Sequence, residues 1–107
     1  MKEKLTKSVK KKLRSLAGLA HERELTAELS TLEAQFAHWR TGQLTAFELA
    51  ELIHSFHDGV ARTLYKQYVL GKHDWSVADA VERCIVTEAE AGPAVMELIS
   101  PKISHRH

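Results

Sequence analysis

The stretch Leu44–Tyr68, LTAFELAELIHSFHDGVARTLYKQY, carries the clearest helix-start signal in the chain. Thr45 and Glu48 stand at the spacing of a capping box, in which each side chain takes up a backbone N–H that the first helical turn leaves free. Leu44 before the cap and Leu49 after it match the accompanying hydrophobic staple. At roughly 100° per residue, Leu49, Leu52, Ile53, Phe56, Val60 and Leu64 fall on one arc roughly 120° wide. A second strip runs beside it, made of Phe47, Ala50, His54, His57, Ala61, Tyr65 and Tyr68. Only the sector of Glu48, Glu51, Ser55, Asp58, Arg62 and Lys66 is plainly solvated. A helix with two contact faces needs neighbours on two sides, so this segment is expected to be a central helix.

The segment before it repeats apolar residues in a 4-3-4-3 spacing, Leu25, Leu29, Leu32, Phe36 and Trp39, which predicts a helix over about 22–40. Gly42 is suited to close that helix, and the four residues Thr41–Leu44 leave room only for an antiparallel hairpin. Further back, Leu5, Val9, Leu13, Leu16 and Ala20 make a second amphipathic stripe, roughly 160° around the axis from the first. The expectation is a break between Gly18 and Glu24; the alternative is one long helix that shows different faces to different partners.

Beyond Tyr68, Gly71–Asp74 reads as a turn. Asp74 or Ser76 is placed to cap a helix over about 75–90, with Val77, Ala78, Val81, Cys84 and Ile85 facing inward. Gly92-Pro93 ends it and starts a short helix over 93–100, followed by a loose tail to His107. The β-branched residues occur at helical spacing, and no strand is predicted. The fold expected is all-α: a small antiparallel helical bundle with a long central helix. Residues 1–20 form an N-terminal basic amphipathic arm, and 21–107 a single helical domain.

Composition narrows the function classes. A chain of 107 residues holds one modest core. It has no apolar run of the roughly 18 residues that would span a bilayer. Its N-terminus lacks a secretory signal, which makes the cytoplasm the expected location. Cys84 is the single cysteine, so no intrachain disulfide forms and a small buried hydrophobe is expected there. Net charge is +1, yet residues 1–20 hold seven basic groups against one acidic, and the remainder eight basic against thirteen acidic. Lys7, Lys10, Lys11, Lys12 and Arg14 are therefore candidates for polyanion contact, through counterion release on a nucleic acid or at an anionic membrane surface. No aromatic is interleaved with them, and the favoured use is solvation or contact with the acidic body of a second copy.

Glu51, His54, His57 and Asp58 are the most suggestive chemical cluster. At spacings of three and four they share a helix face, and imidazole with carboxylate suits a divalent metal. Glu51-x-x-His54 is also the spacing of di-iron helical bundles, though the chain holds no second copy, and His38 is the best further ligand. The structural alternative has His54 bonded to Asp58 one turn away. The doublet His57-Asp58, behind Leu52-Ile53, resembles that of HD-type metal-dependent phosphohydrolases. The resemblance implies an upstream histidine and a downstream aspartate, for which His38 and Asp79 stand nearest; a second doublet, His73-Asp74, falls in the expected turn. No nucleophile elbow, phosphate-binding glycine loop or small-molecule substrate site is legible. The reading adopted is a non-catalytic interaction or regulatory domain without a cofactor. It pairs with itself or another protein, with Tyr65 and Tyr68 as contact residues.

Overall fold

The computed structural model describes residues 6–103, and within them the first element is one unbroken helix, α1 (Lys7–Arg40). Thr6 caps it, its Oγ1 accepting from the Val9 N–H at 3.1 Å. The expected break near Gly18 does not occur. Gly18 lies on the solvent side, with nothing within 4 Å of where a Cβ would stand, so the glycine leaves no defect in the packing. The alternative holds instead: one rod uses its two stripes in succession. Leu5, the first member of the N-terminal stripe, and the tail 104–107 lie outside the described residues.

Gly42, at φ 84°, closes α1, with its N–H on the Trp39 carbonyl at 3.1 Å. The predicted capping box then starts α2 (Ala46–Phe56): Thr45 Oγ1 accepts from Glu48 N–H at 3.0 Å, and Glu48 Oε1 from Thr45 N–H at 2.8 Å. The rod continues as a π-helical turn (His57–Ala61), α3 (Arg62–Tyr65) and a second π-helical turn (Lys66–Leu70). A π turn holds roughly one residue more than an α turn, so side chains beyond it fall back by roughly 100° around the axis. That rotation carries Tyr68 off the strip it was assigned to and onto the side of Leu49 and Leu64. All three are buried.

Gly71 then turns the chain so tightly that a Cβ there would lie 2.6 Å from the Gln67 carbonyl oxygen. α4 (His73–Glu82) begins earlier than expected, so His73-Asp74 forms its first turn. Ser76 is not its cap but a buried staple, its hydroxyl donating to Gln67 O (2.7 Å). α4 also ends earlier. Cys84 takes the left-handed conformation (φ 64°), with Ile85 N–H reaching back to Ala80 O at 2.8 Å. A helix-terminating residue in that conformation points away from the packed face, and Cys84 is exposed rather than buried. A second capping box, Thr87 with Glu90, starts α5 (Glu88–Ala91). Gly92 and Pro93 lead into α6 (Pro93–Ile99) and a 3₁₀ turn (Ser100–Lys102).

The core gathers Leu13, Leu16, Ala17 and Ala20 of α1 with Leu64 and Tyr68. Around them pack Val77, Ala80 and Val81 of α4, Val86, and Val95 and Ile99 of the last helix. It therefore sits at one end of the molecule. The other end is the α1/α2 hairpin alone. Dimensions of 58 × 27 × 21 Å and a radius of gyration of 17.5 Å reflect that projection; a compact domain of this length has about 13 Å.

Residues 7–20, expected as a basic amphipathic helix, are thus a wall of the core. Deleting residues 1–20 removes Leu13 and Leu16, both 4% exposed, from the core. Truncating such a side chain to alanine already costs about 2–5 kcal/mol, and a domain's whole stability is about 5–15 kcal/mol. The deletion is expected to abolish cooperative thermal unfolding followed by circular dichroism. A cooperative transition retained after the deletion would show that α4–α6 close a core without α1.

Candidate functional site

Where α1 passes the end of the second rod, a polar junction ties three elements together. Arg83, just past α4, forks onto the Glu24 carboxylate of α1 through Nη1 (3.1 Å) and Nη2 (2.7 Å). Its Nε donates to Asp79 Oδ2 at 2.9 Å, which also accepts from Gln67 Nε2 at 3.0 Å. The Tyr68 hydroxyl donates to Glu24 Oε2. Burial pushes the Glu24 carboxyl up, and the hydrogen bonds from Arg83 and Tyr68 outweigh it, holding the group below its ordinary value. Burial, and then the bond to that carboxylate, push the Tyr68 phenol well above its usual range. This junction holds structure together: every group in it is already partnered.

Next to it, on the other side of Tyr68, a groove of about 450 Å³ opens between α1 and the second rod. His21 borders it and stacks on the Tyr68 ring, centroids 5.6 Å apart and planes 23° from parallel. Leu25, Ala61, Tyr65 and Leu70 supply apolar lining, and the remaining contacts are His57, Arg62 and Lys66. Tyr65, assigned with Tyr68 to a partner surface, is half exposed here, whereas Tyr68 is only 3% exposed. Tyr68 is therefore held inside the chain, whereas Tyr65 is presented at its surface. Its burial follows from the π turns, which a strict 3.6-residue period does not include.

The expected metal ligands are dispersed. His54 Nε2 lies 3.7 Å from Asp58 Oδ2, an exposed i,i+4 pair, while His57 lines the groove. Glu51 and His38 are exposed, and Asp79, the stand-in for a downstream aspartate, is held by Arg83 and Gln67. Among the described residues no group of three or more His, Cys, Asp or Glu side chains lies close enough to hold a metal ion. Lys7, Lys10, Lys11, Lys12 and Arg14 are all exposed, on the solvent side of α1.

The projecting hairpin holds five of the nine large apolar groups exposed among the described residues. Phe47 is 88% exposed, Leu29 47% and Trp39 43%, with Leu52 and Ile53 also open. Of the two stripes that meet there, only Leu49 is buried. The sequence signal for this was the 4-3-4-3 stripe itself, which runs beyond what one neighbouring helix can cover. No helix among the described residues is long and apolar enough to cross a membrane. Compared with protein-family models, curated proteins and solved structures, the chain matches none, so the geometry alone carries the functional reading.

Two outcomes follow from these contacts. Arg23 forks onto Glu90 (2.9 and 2.6 Å), and Glu90 also caps α5. The hydrogen bond from Arg23, with that from the Thr87 backbone, holds the Glu90 carboxyl down at about 2. Since the folded value is depressed, its contribution is present above about pH 4.5 and is lost as pH falls towards 2. The urea midpoint of Arg23→Ala is therefore expected below wild type at pH 7, with the gap narrowing between pH 4.5 and 2. A gap that stayed constant with pH would remove this ion pair from the account. For His54, an exposed pair is worth under about 1 kcal/mol, so His54→Ala is expected to shift the melting temperature only slightly. Added zinc is expected to leave that temperature unchanged. A zinc-dependent rise of several degrees, abolished by His54→Ala, would show the ligands converging in solution.

Proposed function

We propose that the chain is a non-catalytic interaction module that associates with a second copy through the projecting hairpin. The observation that carries this is the exposure of Leu29, Trp39, Phe47, Leu52 and Ile53 on a pair of helices that no third helix covers among the described residues. Two helices bury one seam between them and leave the flanks of both stripes in water; four helices enclose a core. A second copy supplies the missing pair with the same residues. Because a two-fold contact is closed, association stops at the dimer.

Charge separates this contact from one made by the basic end of α1. Between residues 22 and 58 the hairpin carries seven acidic groups and two basic ones. Two hairpins brought together repel weakly at their edges, so added salt strengthens an apolar dimer. A dimer made by the basic end of one copy on the acidic hairpin of another weakens with salt.

Sedimentation equilibrium at micromolar concentration is expected to give a mass near twice the 12.1 kDa of the chain, rising in occupancy with salt. Phe47→Asp or Ile53→Asp is expected to return the mass to that of the monomer with helicity unchanged. Both positions are exposed in the single chain, so a buried unpaired charge arises only in the dimer. A strict monomer at 100 times the micromolar range, or a dimer indifferent to both substitutions, would sink the proposal.

A further inference from the structure

We infer that the groove between α1 and the second rod binds a small amphiphilic organic anion, a carboxylate or similar group on an aromatic or short alkyl body. At about 450 Å³ it lies within the range of small-ligand sites, roughly 300–1,000 Å³. Its walls divide by chemistry. Leu25, Ala61, Tyr65 and Leu70 offer a body-binding surface, and Leu70 and Tyr65 are exposed there without a neighbour to cover them. Every other lining side chain is basic or imidazole: His21, His57, Arg62 and Lys66. Among the described residues no carboxylate lines the groove. Among the described residues, neither Arg62 nor Lys66 meets an acidic partner within salt-bridge distance, whereas Arg23 and Arg83 are both forked onto carboxylates. A guanidinium and an ammonium left unpaired beside apolar wall are complementary to a ligand with one anionic end, and Arg62 has the fork geometry for a carboxylate.

The backbone supplies an independent observation. Both π turns of the second rod border this groove, and their first and last residues, His57 with Ala61 and Lys66 with Leu70, are all lining residues. Wide turns of this kind sacrifice regular helix hydrogen bonding and recur at functional sites. Here they re-aim one face of the rod so that side chains from 57 to 70 line one concavity. His21, opposite, is held in place by its stack on Tyr68, which is anchored through its hydroxyl to Glu24. The groove is therefore largely preformed, and it lies at the base of the hairpin, apart from the strip assigned to the second copy.

Naphthalene-2-carboxylate titrated into the full chain tests this, with amide NMR shifts to locate it and calorimetry to measure it. Saturable binding is expected with a dissociation constant on the order of 0.1 mM. The shifts are expected to cluster at residues 21, 25, 57–62 and 65–70. The uncharged naphthalene-2-carboxamide, and Arg62→Ala/Lys66→Ala with the acid, are each expected to bind roughly tenfold more weakly. Both replaced side chains are exposed, so the double variant keeps its fold, checked by circular dichroism. Equal binding of acid and amide, shifts centred on Trp39 and Phe47, or no saturable binding would overturn the inference. So would a double variant that sediments at 12.1 kDa where the wild type is a dimer, since the groove would then belong to the second copy.

Discussion

A straight helix of 34 residues cannot bring two stripes that lie roughly 160° apart onto one core, and α1 carries two such stripes. The first, Leu13, Leu16, Ala17 and Ala20, is covered by α4, α6 and the end of the second rod. The second, from Leu25 to Trp39, faces another way: Leu25 packs at the edge of the core, and the part beyond it runs beside α2. The remaining elements are placed by which stripe they cover. Because α4, α6 and the end of the second rod go to the first stripe, the far part of the second, Leu29 to Trp39, is left beside α2 and projects, and the molecule becomes a rod with a core at one end.

The junction at Glu24 is where the chain changes from one stripe to the other. An ionised carboxylate between two packed helices is costly unless its oxygens are satisfied, and here Arg83 and Tyr68 satisfy them while Asp79 and Gln67 hold Arg83 in place. Arg23, one residue away, uses the same device on Glu90. Neighbouring positions on α1 thus reach different elements, α4 and α5, and the pair of forks sets how the helix crosses them.

Much of the local structure was legible. The Thr45/Glu48 box, the Gly42 turn, the Pro93 start and the all-α pattern are short-range devices, determined by residues within four positions of one another. The errors share a different cause. Tyr68 was assigned to the wrong face because a π turn adds a residue that no spacing rule counts. The apolar neighbours of Cys84 predict a buried side chain, whereas the left-handed turn it makes ends α4 first and leaves it exposed. Gly18 was read as a weak point, and it is harmless because it faces water.

The amino-acid sequence by itself determined that the chain is helical throughout, where α2 and α6 start, that Leu29 to Ile53 includes many apolar positions, and that charge is divided along the chain. These depend on side-chain spacing and on caps, both of which act within a turn or two. Only the tertiary structure decided that α1 is continuous, that Tyr68 is internal and Tyr65 external, and that Arg62 and Lys66 line an apolar groove with no acidic partner among the described residues. Those outcomes depend on contacts between residues forty to seventy positions apart, such as Glu24 with Arg83 and Arg23 with Glu90, and no local period encodes which distant residue arrives first.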